Sequence, residues 1–167
     1  AYGTGEPEEE DFMHSAFHLS EPALAQFAPG LVVQVECCAA EVLAQQPEDV
    51  QTFLLQTSIL SRLTGPLCEA VTGRSEGQAT LEALDRANLF LVSLDDERRW
   101  YRYHHLFADF LRRRLYRLQP EIVPELYIRA SRWYEGEGYI DDAFRHALAA
   151  GDMERAIEIV EKATAPY

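Results

Sequence analysis

The sequence predicts a mainly α-helical protein, in which a winged-helix-like domain with a small β-hairpin precedes TPR-like α-solenoid helices. Amphipathic helical patterns recur from about residue 31 onward, separated by proline and glycine. Residues 88–118 combine two short strand-like runs, an acidic turn and a helical pattern. Alanine-rich helix pairs with short glycine turns follow Pro120. We therefore expect three regions: an acidic, unassigned lead-in at residues 1–30, the winged-helix-like domain at 31–118 and the start of the helical repeats at 119–167.

The composition is that of an ordinary globular protein with an acidic balance. The chain has 167 residues, of which 47% are hydrophobic and 26% charged, and its formal net charge is −13 at pH 7. This charge argues against a protein that binds nucleic acid over its whole surface, because attraction to phosphate requires positive charge. No apolar run reaches the ~20 residues of a membrane span, and no signal peptide is recognisable. We expect a cytoplasmic protein with no membrane partner.

The three cysteines are Cys37, Cys38 and Cys68. Their number is odd and no CxxC pair is present, so neither a disulfide framework nor a zinc site is predicted. We expect buried, reduced thiols that pack as small hydrophobic side chains.

The first helices are bounded by proline and glycine. One helix is predicted from about Leu31 to Gln46, and a second begins at Pro47, because proline suits the first turn of a helix. The second helix carries apolar residues at core-facing spacing: Val50, Phe53, Leu54 and Thr57. After Thr64, Gly65 and Pro66, which resemble a cap and a first-turn proline, a short helix runs from Leu67 to Val71 and ends near Gly73.

The next helix leads into the β-hairpin. Ser75 is a candidate N-cap with Gln78 as its capping-box partner, and the helix ends near Asn88. Its apolar positions are Ala79, Leu81, Ala83, Leu84 and Ala87. Strands are predicted at 89–94 and 100–103, around the acidic turn of residues 95–97. A helix from about His105 to Leu118 follows.

Beyond Pro120 the pattern changes to short, alanine-rich helices. These are predicted at about 120–135 and 140–150, with a last helix after the turn at Gly151 and Asp152. The apolar residues of the last helix are Met153, Ala156, Ile157 and Val160. Small residues allow close helix packing, and one or two such units do not bury a solenoid core alone, so we expect further repeats C-terminal to this chain.

The sequence contains no recognisable catalytic motif. It has no Walker-type phosphate loop, no GxGxxG after a strand and no nucleophile-elbow serine. The adjacent pair His104 and His105 is the one feature with chemical potential. Neighbouring imidazoles rarely bind one metal ion, and no third ligand lies nearby, so no metal site is predicted. Either one histidine packs at the strand-to-helix junction while the other is exposed, or one imidazole points to a partner site outside the chain.

Seven of the fifteen basic residues lie between residues 98 and 117, and they allow two interpretations. Arg98, Arg99 and Arg102 are placed as in wings that contact a DNA backbone. Alternatively, the arginines form a solvated or intramolecular face that is balanced by nearby carboxylates: Asp95, Asp96, Glu97 and Asp109. The helix before the hairpin carries Glu82 and Asp85, which does not suit a helix meant for the major groove. The second interpretation is favoured.

Long runs of the sequence resemble the large ATP-binding LuxR-type, or MalT-like, transcription regulators. These runs are VLAQQPEDVQTFLLQTSIL, LCEAVTGR, QATLEALDRANLFLVSLDDERRWYRYHHLFADFLRRRL and WYEGEGYIDDAFRHALAAGDMERAIEIVE. The resemblance covers about residues 37–161, whereas residues 1–36 do not match the end of a nucleotide-binding domain, which the family pattern would place there.

The resemblance implies a role for the chain. Full members are ATP-dependent switches of the STAND class, built from an NTPase domain, a winged helix, a helical-repeat sensor and a C-terminal LuxR-type DNA-binding domain. This chain would supply the winged helix and first repeats, and would act as a hinge that packs on the NTPase domain in the ADP-bound form. His104 matches the histidine that contacts an ADP phosphate in related proteins. A histidine at a helix start can donate to phosphate.

The sequence thus predicts a regulatory, non-enzymatic piece of an ATP-dependent LuxR-type transcription activator involved in signal transduction. It implies ATP or ADP as cofactor of an ATPase parent protein, none being bound within the chain itself. The implied partners are the parent's NTPase domain, an inducer at the helical repeats, and DNA through a separate C-terminal domain. The alternatives are a stand-alone DNA-binding winged helix and a protein–protein scaffold built on helical repeats.

Overall fold

A computed structural model of the protein describes residues 29–166. The predicted acidic lead-in at residues 1–30 therefore lies outside the described residues, apart from its last two positions. The chain divides into two compact units, Ala1–Pro47 and Glu48–Tyr167.

The described part of the first unit is helix α1, Pro29–Gln45. Ala39 and Leu43 are buried, and their spacing of four residues places them on one face of the helix. Cys37 is exposed and Cys38 is half-buried. The prediction of buried thiols is therefore wrong for Cys37, because this position lies away from the face that carries Ala39 and Leu43.

The second unit begins with the winged-helix part. Its elements in chain order are α2 (Glu48–Thr57), α3 (Gly65–Thr72), α4 (Gly77–Arg86), β1 (Leu91–Ser93), β2 (Tyr101–Tyr103) and α5 (His105–Leu118). These elements bury one apolar core, whose fully enclosed side chains include Leu54, Leu63, Leu67, Leu81, Tyr101, Phe107 and Leu111. The predicted mainly α fold with a small hairpin is confirmed, and the predicted bounds of α5 agree with the structure.

The β-hairpin is antiparallel and short. Leu91 pairs with Tyr103 and Ser93 pairs with Tyr101, which leaves a seven-residue loop at 94–100. A third segment joins the sheet at one residue, since Leu63 and Tyr101 exchange backbone hydrogen bonds of 2.6 and 2.8 Å. The strands are shorter than predicted because Leu89 and Phe90 lie in the turn after α4, and Phe90 has a positive φ of 56°.

The predicted capping box at the start of α4 is not formed. The N-cap is Glu76, in a left-handed conformation with φ of 71°, and no side chain caps the helix from that position. Instead Glu69 in α3 accepts a hydrogen bond from the Gly77 N–H at 3.0 Å. Helices α3 and α4 meet closely here, because a Cβ on Gly77 would lie 2.6 Å from the carbonyl oxygen of Gly65. Only glycine fits this crossing.

Beyond a 3₁₀ turn at Pro120–Ile122, the second unit continues with α6 (Val123–Gly136), α7 (Ile140–Ala149) and α8 (Met153–Thr164). Helix α6 packs on α3 of the winged helix and on α7, and α7 packs on α8. Residues Ala130, Ala143, Ala147 and Ala156 are completely buried, so small side chains do line the contacts between these helices as predicted.

Polar groups join the three C-terminal helices. Ser131 of α6 donates to the Ala143 carbonyl at 2.7 Å and accepts from Arg155 of α8 at 3.1 Å. Glu135 binds Arg155 at 2.7 Å and Lys162 at 3.2 Å. Burial opposes ionisation of Glu135, but the hydrogen bonds from Lys162 and Arg155 outweigh it and hold its pKa below the usual value.

The outer face of α8 carries exposed apolar side chains. Ala156 is buried, together with Ile159. Met153, Ile157 and Val160, the other apolar residues named for this helix, are 62%, 52% and 43% exposed. They form an apolar stripe on the side of α8 that faces away from α7. Among the described residues, no helix has the length and apolar character needed to cross a membrane.

Candidate functional site

His104 lies at the junction between β2 and α5, as the sequence predicts. It is the N-cap residue of α5, and its carbonyl accepts the first helical hydrogen bond from the Ala108 N–H at 2.9 Å. Its own N–H donates to the Phe90 carbonyl at 2.9 Å, which ties the helix start to the hairpin. The imidazole makes no capping hydrogen bond to the helix and is half-exposed. The side chain is therefore positioned at a helix N-terminus, where an anion is favoured.

His105 is the first residue of α5 and is half-buried. Its Nε2 atom is buried without a hydrogen-bond partner in the described part of the chain. The expectation that one histidine packs at the junction while the other is exposed is thus not matched, since both are half-buried. A buried imidazole nitrogen that has no hydrogen-bond partner destabilises the folded state. Within the residues that the structure describes, no cluster of three or more metal-binding side chains is present.

Two arginines of the wing, defined as β1, β2 and the loop at 94–100, are paired with carboxylates. Arg98 binds Asp85 of α4 at 3.1 Å, and Arg99 binds Glu97 at 3.0 Å. In α5, Arg112 binds Asp109 at 3.4 Å, and its Nε donates to the Ser58 carbonyl at 2.7 Å. These contacts fit the predicted intramolecular face. The Asp85 partner, from the acidic helix itself, is not among the carboxylates that the sequence suggests.

A second cluster, which the sequence does not reveal, surrounds Arg62 in the loop between α2 and α3. Its guanidinium carbon lies 4.6, 5.2 and 5.9 Å from the ring centroids of Trp100, Tyr139 and Tyr134. Its Nη2 atom donates to Asp142 at 3.0 Å. We call this group the Arg62 cage. It joins the loop before α3, the wing, α6 and α7, because each element supplies one of its members.

The rings of Trp100 and Tyr139 in the cage contact each other and also the ring of Trp133, which lies on α6 beside the cage. Trp100 meets Trp133 at 6.3 Å and Tyr139 at 6.2 Å between centroids, both nearly edge-to-face. Trp133 and Tyr139 are stacked at 6.4 Å. Edge-to-face and offset rings at such distances attract each other by about 0.5–1.5 kcal/mol beyond their burial. The wing is therefore attached to α6 and α7 by an aromatic cluster as well as by a cation.

The acidic end of the cage continues into α7. Asp142 is mostly buried and also pairs with Arg145, one turn further along the helix. The Asp142 carbonyl lies 2.6 Å from Nδ1 of His146, whose ring lies 4.9 Å from that of Tyr134. Burial holds the pKa of His146 below its usual value of 6.5, which outweighs the opposite influence of Asp142. This histidine is therefore neutral at pH 7, with its proton on Nδ1.

A third contact joins the winged helix to α6 from the opposite direction. Arg129 donates from Nη1 to the Val71 carbonyl in the last turn of α3 at 3.0 Å, and its Nε binds Glu125 at 3.2 Å. A cation at a helix C-terminus is electrostatically favourable. Two arginines, one from each side, thus span the boundary between the winged helix and α6–α7.

Two open clefts in the described part of the chain are lined by residues other than His104. One, of about 440 Å³, lies between the start of α2 and the loop joining α3 to α4. A smaller one, of about 180 Å³, lies beside the Arg62 cage and is lined by Ile59, Ser61, Tyr127, Arg145, His146 and Ala149.

Sequence reasoning missed the Arg62 cage because its members have no local relationship. Arg62 and Asp142 are 80 residues apart, and neither interrupts a helical pattern. The available signal is the density of aromatic residues in two places, WYRY at 100–103 and WYEGEGY at 133–139. Because aromatic side chains bury large apolar areas, aromatic clusters beside turns favour packing on another element.

Comparison with protein families identifies the central part of the chain. Residues 39–123 match the family model of the MalT winged helix domain. The match covers α2 to α5 and the hairpin, and ends at the first residue of α6.

Curated relatives carry the similarity further. The chain is 42% identical over 127 residues to the serine/threonine-protein kinase PknK of Mycobacterium tuberculosis, which covers 76% of this chain and 11% of the kinase. It is 39% identical over 120 residues to the HTH-type transcriptional regulator MalT of Klebsiella pneumoniae, covering 72% of this chain and 13% of the regulator. The MalT of Yersinia enterocolitica is 41% identical over 113 residues, which cover 68% of this chain and 12% of that regulator. The chain thus spans only 11–13% of the length of these relatives.

Proposed function

The chain belongs to the MalT winged-helix family, and we propose that it is the internal regulatory connector of a larger ATP-dependent regulator. In this proposal the chain is not an enzyme. It lies between a nucleotide-binding NTPase domain and a helical sensor of the same parent protein, and it changes its docking on the NTPase domain with the state of the bound nucleotide. The observation that carries the proposal is the position of His104 at the head of α5, within a winged helix of the MalT family.

The relatives support an internal rather than an output role. Segments similar to this chain are found in proteins named as a protein kinase and as transcriptional regulators. Their names describe different outputs, so a segment that both share is better suited to a common regulatory step than to either output. Nucleotide-dependent regulation in the cytoplasm, with DNA contacted by a separate domain, is consistent with this division of labour.

The electrostatics of the wing support the same interpretation. Arg98 is paired with Asp85, and that carboxylate lies on α4, the helix that would have to enter a major groove. Helix α4 also exposes Glu82. Bringing these carboxylates to DNA would place negative charge against phosphates. Trp100, at the end of the wing loop, is held in the Arg62 cage. Contact of the wing with protein is therefore more favourable than contact with DNA.

His104 suits contact with a phosphate of ADP bound by the parent's NTPase domain. Its side chain is half-exposed and lies at the N-terminus of α5. Both the ring N–H and the helix N-terminus favour an anion. The residues present therefore fit a nucleotide phosphate supplied by a neighbouring domain. When it is bound, the nucleotide would supply a negatively charged group whose presence stabilises the docked state.

Helices α6 to α8 would begin a TPR-like sensor that takes an inducer. They pack on one another in chain order through buried alanines, and α8 presents the apolar stripe Met153, Ile157 and Val160. In a solenoid each repeat covers the apolar face of the preceding one. A further helix packed on this stripe would continue the repeat.

The proposal is tested in the full-length parent protein with His104→Ala. We expect faster release of ADP and higher basal activity, because the docked state loses one hydrogen bond to the nucleotide. Gln is a useful second substitution, since His104→Gln keeps a donor and should retain part of the ADP affinity. Unchanged ADP release in both variants, with an unchanged unfolding midpoint, would show that His104 has only a packing role.

DNA binding by the chain itself is the competing function. Fluorescence anisotropy measures the affinity of the chain for random and promoter-derived duplexes. The titrations are made at roughly 50 and 200 mM salt, because phosphate contacts weaken strongly over this range. We expect no tight or strongly salt-dependent binding. Salt-dependent binding that Arg98→Ala and Arg99→Ala both weaken would instead favour a DNA-binding winged helix.

A further inference from the structure

The strand β2 connects two features that lie at its opposite ends. Trp100, one residue before the strand, is held in the Arg62 cage, and His104, one residue after it, begins α5. Between them, Tyr101 is completely buried and is hydrogen-bonded to Leu63 on one side while pairing with Ser93 on the other. Tyr103 pairs with Leu91. Pairing and burial restrain this three-residue strand, which links the position of Trp100 to that of His104.

Trp100 is fixed in its backbone as well as in its ring. Asp95 Oδ1 accepts hydrogen bonds from the N–H groups of Arg99 at 2.9 Å and Trp100 at 3.3 Å. The Trp100 carbonyl accepts from Leu94 at 2.8 Å. Movement of the indole therefore requires movement of the wing loop and of β2.

The opposite side of the cage belongs to α6 and α7. Tyr134 lies on α6, Tyr139 immediately precedes α7, and Asp142 lies in its first turn. Asp142 has only 13% of its side chain exposed, and Arg62 has 35% exposed. A guanidinium in partial burial, flanked by rings and paired with a carboxylate, is bound more strongly than an exposed ion pair.

We propose that the Arg62 cage is a latch which makes the winged helix and the α6–α7 hairpin move as one body, so that displacement of α6 and α7 reaches His104 through β2. Arg62 is then a positioning residue: it contacts no nucleotide, and it determines where His104 lies relative to the helical repeats. The effect on His104 rests on the proposed function, whereas the coupling of the winged helix to α6 and α7 does not. The latch itself is a property of the chain and can be tested without nucleotide.

Hydrogen exchange of the chain tests the latch. In the wild-type protein, the amides of α3 and those of α6 and α7 should open together. In Arg62→Ala, we expect the amides of α6 and α7 to exchange about tenfold faster, because a partly buried cation–π and ion-pair contact is lost. The amides of α3 should change by less than about threefold, since local opening leaves the winged helix folded.

A matched control separates the latch from simple loss of charge. Arg145 binds the same Asp142 but lies outside the ring contacts that hold Arg62. Arg145→Ala should leave exchange in α6 and α7 within about threefold of wild type, because the Arg145 side chain is 66% exposed and solvent screens its charge. Arg62→Lys, which keeps the charge, should lie between wild type and Arg62→Ala. Equal acceleration in α3 and in α6–α7, or none in α6–α7, would overturn the latch.

The full-length parent tests the second half of the inference. Arg62→Ala should speed ADP release towards the rate of His104→Ala, whereas Arg145→Ala should not change it. If His104→Ala leaves ADP release unchanged while Arg62→Ala still uncouples hydrogen exchange, the nucleotide role fails and the latch stands. If His104→Ala speeds release but Arg62→Ala does not, although it uncouples exchange, transmission through β2 is wrong and the nucleotide role stands.

Discussion

The hydroxyls of Tyr103 and Thr57 lie 2.7 Å apart in the core of the winged helix and join β2 to the last turn of α2. Thr57 donates its own proton to the Phe53 carbonyl at 2.7 Å, so Tyr103 is the donor of the pair. Burial raises the pKa of Tyr103 far above its usual value, which keeps the phenol protonated. The pair is the polar connection between the strand that precedes His104 and the helical core.

A double-mutant cycle at this pair should show strong coupling. Thr57→Val leaves the Tyr103 hydroxyl buried without an acceptor and should cost about 1–3 kcal/mol of unfolding free energy. Tyr103→Phe should cost about 1 kcal/mol. The double variant should be less unstable than the sum of the two, because no unpaired donor remains. Urea unfolding of the four proteins measures this, and additive costs would contradict the hydrogen bond.

The crossing of α3 and α4 predicts an asymmetric response of two glycines to alanine. Gly77→Ala would place a methyl group 2.6 Å from the Gly65 carbonyl oxygen, so we expect a loss of about 1–3 kcal/mol. Gly136→Ala is the control, because the new Cβ meets nothing within 4 Å and Gly136 ends helix α6. It should stabilise the protein by up to about 1 kcal/mol. Thermal unfolding of both variants checks the contrast, and a tolerated Gly77→Ala would contradict the close crossing.

Cys37 and Cys68 should react with a thiol reagent at rates set by their different burial. Cys68 is completely buried, and burial raises its pKa to about 12, with Glu69 adding to the effect while the Thr64 backbone opposes it. Cys37 is exposed. At pH 8 a maleimide should modify Cys37 first, and Cys68 at least roughly a thousandfold more slowly, because so little thiolate is present. Peptide mapping by mass spectrometry follows each site. Early modification of Cys68 in the folded protein would argue against its burial.

The stability of the second unit should fall as the pH drops below about 6.5, the ordinary pKa of a histidine. Burial holds the pKa of His146 below 6.5 in the folded state. Near and below pH 6.5 the unfolded chain therefore binds more protons than the folded chain. The stabilisation that neutral His146 allows is complete above pH 6.5 and is lost as the pH falls through the folded pKa. The groups that face it are Asp142, Arg145, Tyr134 and Tyr127.

Comparison of wild type with His146→Asn isolates this contribution. Unfolding free energy is measured at pH 7.5, 6.5 and 5.5, about 1 unit apart around the ordinary pKa of a histidine. The variant should be less stable at pH 7.5 and should have a flatter pH profile. Parallel profiles for the two proteins would show that His146 does not titrate differently in the folded and unfolded states.

Most of the fold can be predicted from the sequence because its elements are encoded locally. The predicted bounds of α5 coincide with the structure, and the proline and glycine positions around α3 place that short helix closely. The runs at 89–94 and 100–103, on either side of an acidic turn, predict the hairpin. These features depend on residues close together in the sequence. Hydrophobic periodicity and turn residues therefore predict them well.

The misplaced details depend on contacts between distant residues. Ser75 is a good N-cap by local rules, but Glu69 in the preceding helix satisfies the Gly77 N–H instead. The helical pattern of α8 does not distinguish Ile159, which faces α7, from Ile157, which is exposed. His104 can be recognised as a candidate because a junction between a strand and a helix is a local feature. The Arg62 cage cannot, since its members come together only after four elements have packed.

The internal pairing of Arg62 has a consequence for chimeric proteins. A recombination point at the joint after α5 would separate the Arg62 guanidinium from Tyr134, Tyr139 and Asp142, and leave it only the indole of Trp100. Foreign helices grafted at that joint would inherit an orphaned cation and a solvent-facing indole. Fusions that exchange one sensor for another should therefore keep this chain intact through α8, and place the new sequence after the stripe of Met153, Ile157 and Val160.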